Sequence, residues 1–218
     1  MLMLIALTLT SLILRLINLG DFPANIAAAE LNFIYPLRHL LNYNLFLARL
    51  PFVLIYTLTI SLTVILVRKL SPRVGFWTGV LLLVSPWHLS LSRRAQLPWQ
   101  PWLELDLTKF LERFFDFTSP RYLFLTGDQT FGLTANSGLL LSVTLITLLI
   151  AIATVKKFDR LFWIAVKLIL FGAALASLQV YFSNTHALVL ALFGWTILLG
   201  WGIAQALYKF PWLLFIFI

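Results

Sequence analysis

Glu30 is the carboxylate in this chain placed where it could do chemistry. It follows three alanines, Ala27, Ala28 and Ala29, just outside the first apolar run. There it can serve as a base or as a metal ligand. A position near a helix start would also favour it through the helix dipole alone. Asp128 sits in a polar, glycine-rich run, 126–138, whose composition favours turns. That run lacks the Gly-Lys-Ser/Thr ending of a phosphate-binding loop. His39, His88 and His186 do not share the spacing of a metal site, and neither a metal nor a cofactor is expected. The chain has no cysteine, which excludes thiolate zinc sites and a disulfide framework.

Other ionisable residues lie within apolar runs. Arg15 and Arg49 stand near the outer ends of the first two, where long side chains can snorkel to the interface. His88, in Ser85-Pro86-Trp87-His88, ends a third run and reads as an interface residue. Lys167 lies deeper in a later run. A charge there marks a functional candidate, but its amine can also snorkel to the near interface.

These residues need elements to hold them, and the composition says which kind. Of 218 residues, 61% are hydrophobic and 11% charged, against roughly 25% charged in ordinary soluble domains. A chain this size cannot hide so much apolar surface in one globule, so its solvent is lipid. The apolar content also excludes disorder. Six runs reach roughly the 20 residues that a membrane helix needs: 1–18, 46–67, 74–91, 137–155, 161–182 and 187–208. They are continuous and too long for barrel strands. An all-α integral membrane protein of one domain, 1–218, is predicted. The first run lacks a basic leader and suits an uncleaved anchor. The tail 211–218 is apolar but too short to span.

Orientation follows from the basic residues. Arg68, Lys69 and Arg73 follow the second run, Lys156, Lys157 and Arg160 the fourth, and Lys209 the sixth. All would lie on one side, which makes that side and both termini cytoplasmic. The net charge of +8 then reads as a topology signal, and no nucleic-acid partner is expected. The outer segments are 19–45, 92–136 and 183–186. In 92–136, five basic residues balance five acidic ones. Leu103, Leu105, Leu107, Phe110, Leu111, Phe114 and Phe115 recur at largely helical spacing, and Glu104, Lys109, Glu112, Arg113 and Asp116 fill much of the other face. Trp99 and Trp102 precede them. This pattern predicts a helix lying on the membrane surface, started by Pro98 and Pro101.

Two phrases carry a family likeness. One is Leu14-Arg15-Leu16-Ile17-Asn18-Leu19-Gly20-Asp21-Phe22-Pro23. The other is Ala48-Arg49-Leu50-Pro51, followed by a span, a basic loop and the stretch from Ser85-Pro86-Trp87-His88 to Ser92-Arg93. A looser third is the run 114–138, leading into Gly127-Asp128. Together they resemble the GT-C membrane glycosyltransferases, which include protein O-mannosyltransferases and lipid A aminoarabinose transferases. The resemblance implies transfer of a sugar from a polyprenyl-phosphate donor on the outer face of a bacterial inner membrane. It implies an acidic base in the first outer loop and cations on the lipid phosphate. Glu30 falls in the first role, Arg93 in the second, and Arg94 beside it. Physical chemistry agrees on the second: a phosphate leaving group needs charge stabilisation, and Arg matches phosphate geometry.

The departures are as informative. Aligned on Pro23, the family's Asp-Glu pair becomes Ala29-Glu30, so the usual base is alanine. Glu30 stands one residue on, about 100° around a helix. Ala95-Gln96-Leu97-Pro98 supplies no second acid, and the chain is short for the family. Two functions follow as alternatives: a minimal glycosyltransferase using Glu30 and Arg93, or a non-catalytic scaffold among other membrane subunits. A transporter would need polar residues aligned through several spans, and these are scarce.

Overall fold

A computed structural model describes residues 2–19, 44–93, 106–126, 140, 144–154, 159–178 and 188–209. Among the described residues the regular structure is all helical. In chain order the helices are α1 (Leu2–Leu16), α2 (Leu45–Leu70), α3 (Pro72–Val84), α4 (Pro86–Ser92), α5 (Leu107–Thr118), α6 (Thr144–Thr154), α7 (Arg160–Ser177) and α8 (Val189–Lys209). A π-helical turn, Tyr122–Thr126, follows α5. Helices α2, α7 and α8 are long and apolar enough to cross a membrane, and α3 with α4 makes a fourth candidate. Helices α1 and α6 are apolar but shorter.

The run expected to be one span over 74–91 is broken. Helices α3 and α4 meet at Ser85 and are bent by 60°. The cause is local. Pro86 has no N–H to donate, and its ring collides with the carbonyl four residues back. It also pushes the residue before it out of the helical region, and Ser85 is extended at φ −66°, ψ 125°.

Helix α8 is central. In its apolar stretch 72% is buried, against 39% in α2 and in α7. It packs on α7, α6 and α3, while α2 packs on α3 and α1. In lipid there is no hydrophobic drive between helices, so close backbone approach and dispersion must hold them. Small residues permit that approach. A Cβ on Gly200 would sit 2.5 Å from Thr78 Oγ1, and one on Gly202 would run into the Thr147 carbonyl. Outward faces are the reverse: Leu54, Leu58, Leu62 and Ile65 line one exposed side of α2. Lys167 is likewise exposed on α7, facing away from the bundle.

Helix α5 is amphipathic, as its spacing predicts. Leu107, Leu111 and Phe115 form an exposed apolar stripe, and Phe117 turns inward. Asp106 begins the helix, its carboxylate accepting from Thr108 N at 2.9 Å and Lys109 N at 3.2 Å. The expected start at Pro98 and Pro101 lies outside the described residues.

The two ends of α2 mark the two ends of the bundle. At one, the Arg73 guanidinium lies 5.2 Å over the ring of Tyr208, so the basic connection from α2 to α3 and the close of α8 share a side. At the other stand the start of α2, the end of α1 and helix α4.

Candidate functional site

Helix α1 ends in a turn that leaves carbonyls for others. Asn18 has φ 52°, a left-handed conformation that asparagine tolerates better than most side chains. The last carbonyls of a helix lack partners within it and carry partial negative charge. Arginines from two other helices answer them. Arg93, closing α4, donates through Nη2 to the carbonyls of Leu14 at 2.6 Å and Ile17 at 2.8 Å. Arg49, in the second turn of α2, donates through Nη1 to Leu19 O at 2.9 Å. Within α1, Arg15 turns back, its Nη1 donating to Ser11 O at 3.1 Å and Ser11 Oγ at 2.6 Å.

Arg15 also reaches across to α4. Its Nη2 lies 2.6 Å from His88 Nδ1. A guanidinium can only donate, so Nδ1 must be the bare, accepting nitrogen. The ring proton is then on Nε2, which donates to Thr59 Oγ1 at 3.1 Å. Thr59 passes its own proton to Tyr56 O at 2.7 Å. A directed chain of hydrogen bonds therefore runs from α1 through α4 into α2. Aromatic edges close around the imidazole: Tyr56 at 5.3 Å, Trp87 at 5.0 Å and Phe193 at 6.0 Å between ring centres. The Arg15 Nε and the Trp87 Nε1 in this cluster have no hydrogen-bond partner.

Arg15, Arg49 and His88 are each 0% exposed. That corrects the expectation that both arginines snorkel outward and that His88 rests at an interface. Burial of a permanent cation is tolerated only where carbonyls or other acceptors replace water, and the end of α1 is such a place. Arg93, expected to hold a phosphate, is found in this same cluster and is nearly buried. Glu30, Arg94, Ala29, Asp128, His39 and His186 lie outside the described residues. Three residues were thus misread, and one signal could have found them. Arg15, Arg49 and His88 stand at the end of the first run, the start of the second and the end of the third, which places them at one depth.

The described members of the site offer positive charge and N–H donors. His88 has no free lone pair, so it is not available as a base. Among the described residues no group of histidines and carboxylates is gathered that could hold a metal ion. The arrangement ties α1, α2 and α4 together through hydrogen bonds. No protein-family model, curated protein or solved structure matches this chain.

Proposed function

We propose that this chain is a six-span protein of a bacterial inner membrane, with α1 and α6 counted among the crossings and both termini cytoplasmic. Its site at the outer end binds the phosphate of a polyprenyl-phosphate sugar. One observation carries this reading: guanidinium groups from α1, α2 and the end of α4 converge beside one helix end. Such a concentration of positive charge in an apolar bundle suits a multiply charged headgroup entering from the lipid. In the transfer, the bond between the sugar's anomeric carbon and the phosphate oxygen breaks, and a bond to an acceptor oxygen forms. Glu30 takes the acceptor's proton, and Arg93 with Arg94 holds the departing lipid phosphate.

The alternative, a non-catalytic subunit of a membrane complex, draws on two observations. Alanine stands at position 29, where the family likeness calls for aspartate. Arg15 and Arg93 give hydrogen bonds to the end of α1, to Ile17 just beyond it and to His88, a role that needs no substrate. The test is sugar transfer by the purified chain from a polyprenyl-phosphate donor. Transfer abolished by Glu30→Gln and lowered about a hundredfold by Arg93→Gln supports the enzyme. No transfer, together with a stoichiometric partner retained in mild detergent, supports the scaffold.

A further inference from the structure

The opposite end of the bundle contains a second cationic feature, independent of the site above. Arg73 and Trp77 are four residues apart on α3 and so share a face. On α8, Ala204, Leu207 and Tyr208 do the same. These five side chains line a cavity of about 250 Å³. The two helices touch deeper in the bundle, where Gly200 meets Thr78. Toward the basic end Ala204 offers only a methyl group, and the space between the helices is left open. Arg73 is exposed and rests over the face of Tyr208, which is itself 69% exposed. Arg68, Lys69 and Lys209 are exposed at the same end.

We propose that this groove binds the headgroup of an anionic phospholipid. The phosphate would meet the Arg73 guanidinium, and one acyl chain would run inward along Leu207, Ala204 and Trp77. Charge complementarity selects an anion, since Arg73, the ionisable residue in the lining, is basic, as are Arg68, Lys69 and Lys209 near it. Position selects a lipid over a soluble anion. The groove lies at the ends of two membrane helices, its inner wall is apolar, and its two aromatic residues are of the kind that settle at headgroup depth. Basic pockets between membrane helices recognise lipid headgroups by this combination of features.

The experiment uses the full chain reconstituted in vesicles of POPC and POPG, extracted in mild detergent, with retained lipid measured by mass spectrometry. POPG should be enriched over its share in the vesicle. Arg73→Gln should lower that enrichment about fivefold, the factor expected for one basic residue at a charged surface. Arg73→Lys should keep most of it, and Arg113→Gln on α5 should leave it unchanged. Leu207→Trp, which fills the groove and leaves every charge in place, should abolish it. Retention of the two lipids in their bulk ratio overturns the proposal. So does an Arg73→Gln protein that keeps POPG as the parent does. Full displacement of POPG by millimolar inorganic phosphate also overturns it, because the site would then be one for a soluble anion.

Discussion

His88 has two ring nitrogens, and both are committed. Arg15 holds Nδ1 as an acceptor and Thr59 receives the proton of Nε2. Nitrogen NMR of histidine-labelled protein should therefore show a bare Nδ1 and a protonated Nε2 at this residue; the opposite tautomer would contradict the assignment. Replacing His88 with leucine removes an acceptor from a buried guanidinium. Hydrogen bonds to charged groups contribute about 1.5–3 kcal/mol each, so His88→Leu should lower thermal stability in detergent by about 2 kcal/mol. His88→Asn puts an amide oxygen near the Nδ1 position and should recover part of that loss. Equal stability for His88→Leu and the parent would mean that Arg15 finds another acceptor. The presence of Arg15 and His88 was plain in the sequence, but their pairing was not. They are 73 residues apart, and hydropathy reports how deep a side chain lies without saying which neighbour it faces.

At the scale of elements, α8 holds the bundle by glycine and the outer helices face lipid with leucine. Gly202 touches the Thr147 carbonyl so closely that any side chain must move α6. Gly202→Leu should destabilise by about 3 kcal/mol or more, the upper range for overpacking. Leu58→Ala, on the exposed side of α2, should change stability by less than about 0.5 kcal/mol. Thermal unfolding of both variants in one detergent decides the matter, and comparable losses would place α8 elsewhere than the centre. Helix existence was legible from apolar length, and three of the six expected runs return as α2, α7 and α8 with ends shifted by a few residues. The break at Ser85 was missed although Pro86 was visible. A continuous apolar run says nothing of the hydrogen bond a proline cannot make.

At the scale of the molecule, a cationic cluster stands at each end of the bundle. Arg68, Lys69, Arg73 and Lys209 gather at one end, and the buried arginines at the other. Helix α2 connects the two ends with 26 residues, about 39 Å at 1.5 Å each. The absence of native cysteine makes this directly measurable. Asn44→Cys and Ser71→Cys, flanking α2, should react with an impermeant thiol reagent from opposite sides of the membrane, position 71 from the cytoplasm. Labelling of both from the same side would refute the crossing, and position 71 labelled from outside would reverse the orientation.

Composition and apolar length determined the solvent and the helical class, and the placement of lysine and arginine a common end for the α2–α3 connection and the close of α8. Those properties are additive along a chain and need no partner. Only the tertiary structure decided that Arg15, Arg49, Arg93 and His88 form one buried cluster on the end of α1, and that Arg73 lies over Tyr208. Each of those facts depends on which face of one helix meets which face of another. That is settled by the fit of Gly200 and Gly202 against α3 and α6, and by the bend at Ser85, rather than by hydropathy. Arg15 and Arg49, which looked like charges seeking water, are buried donors to the carbonyls of Ser11 and Leu19.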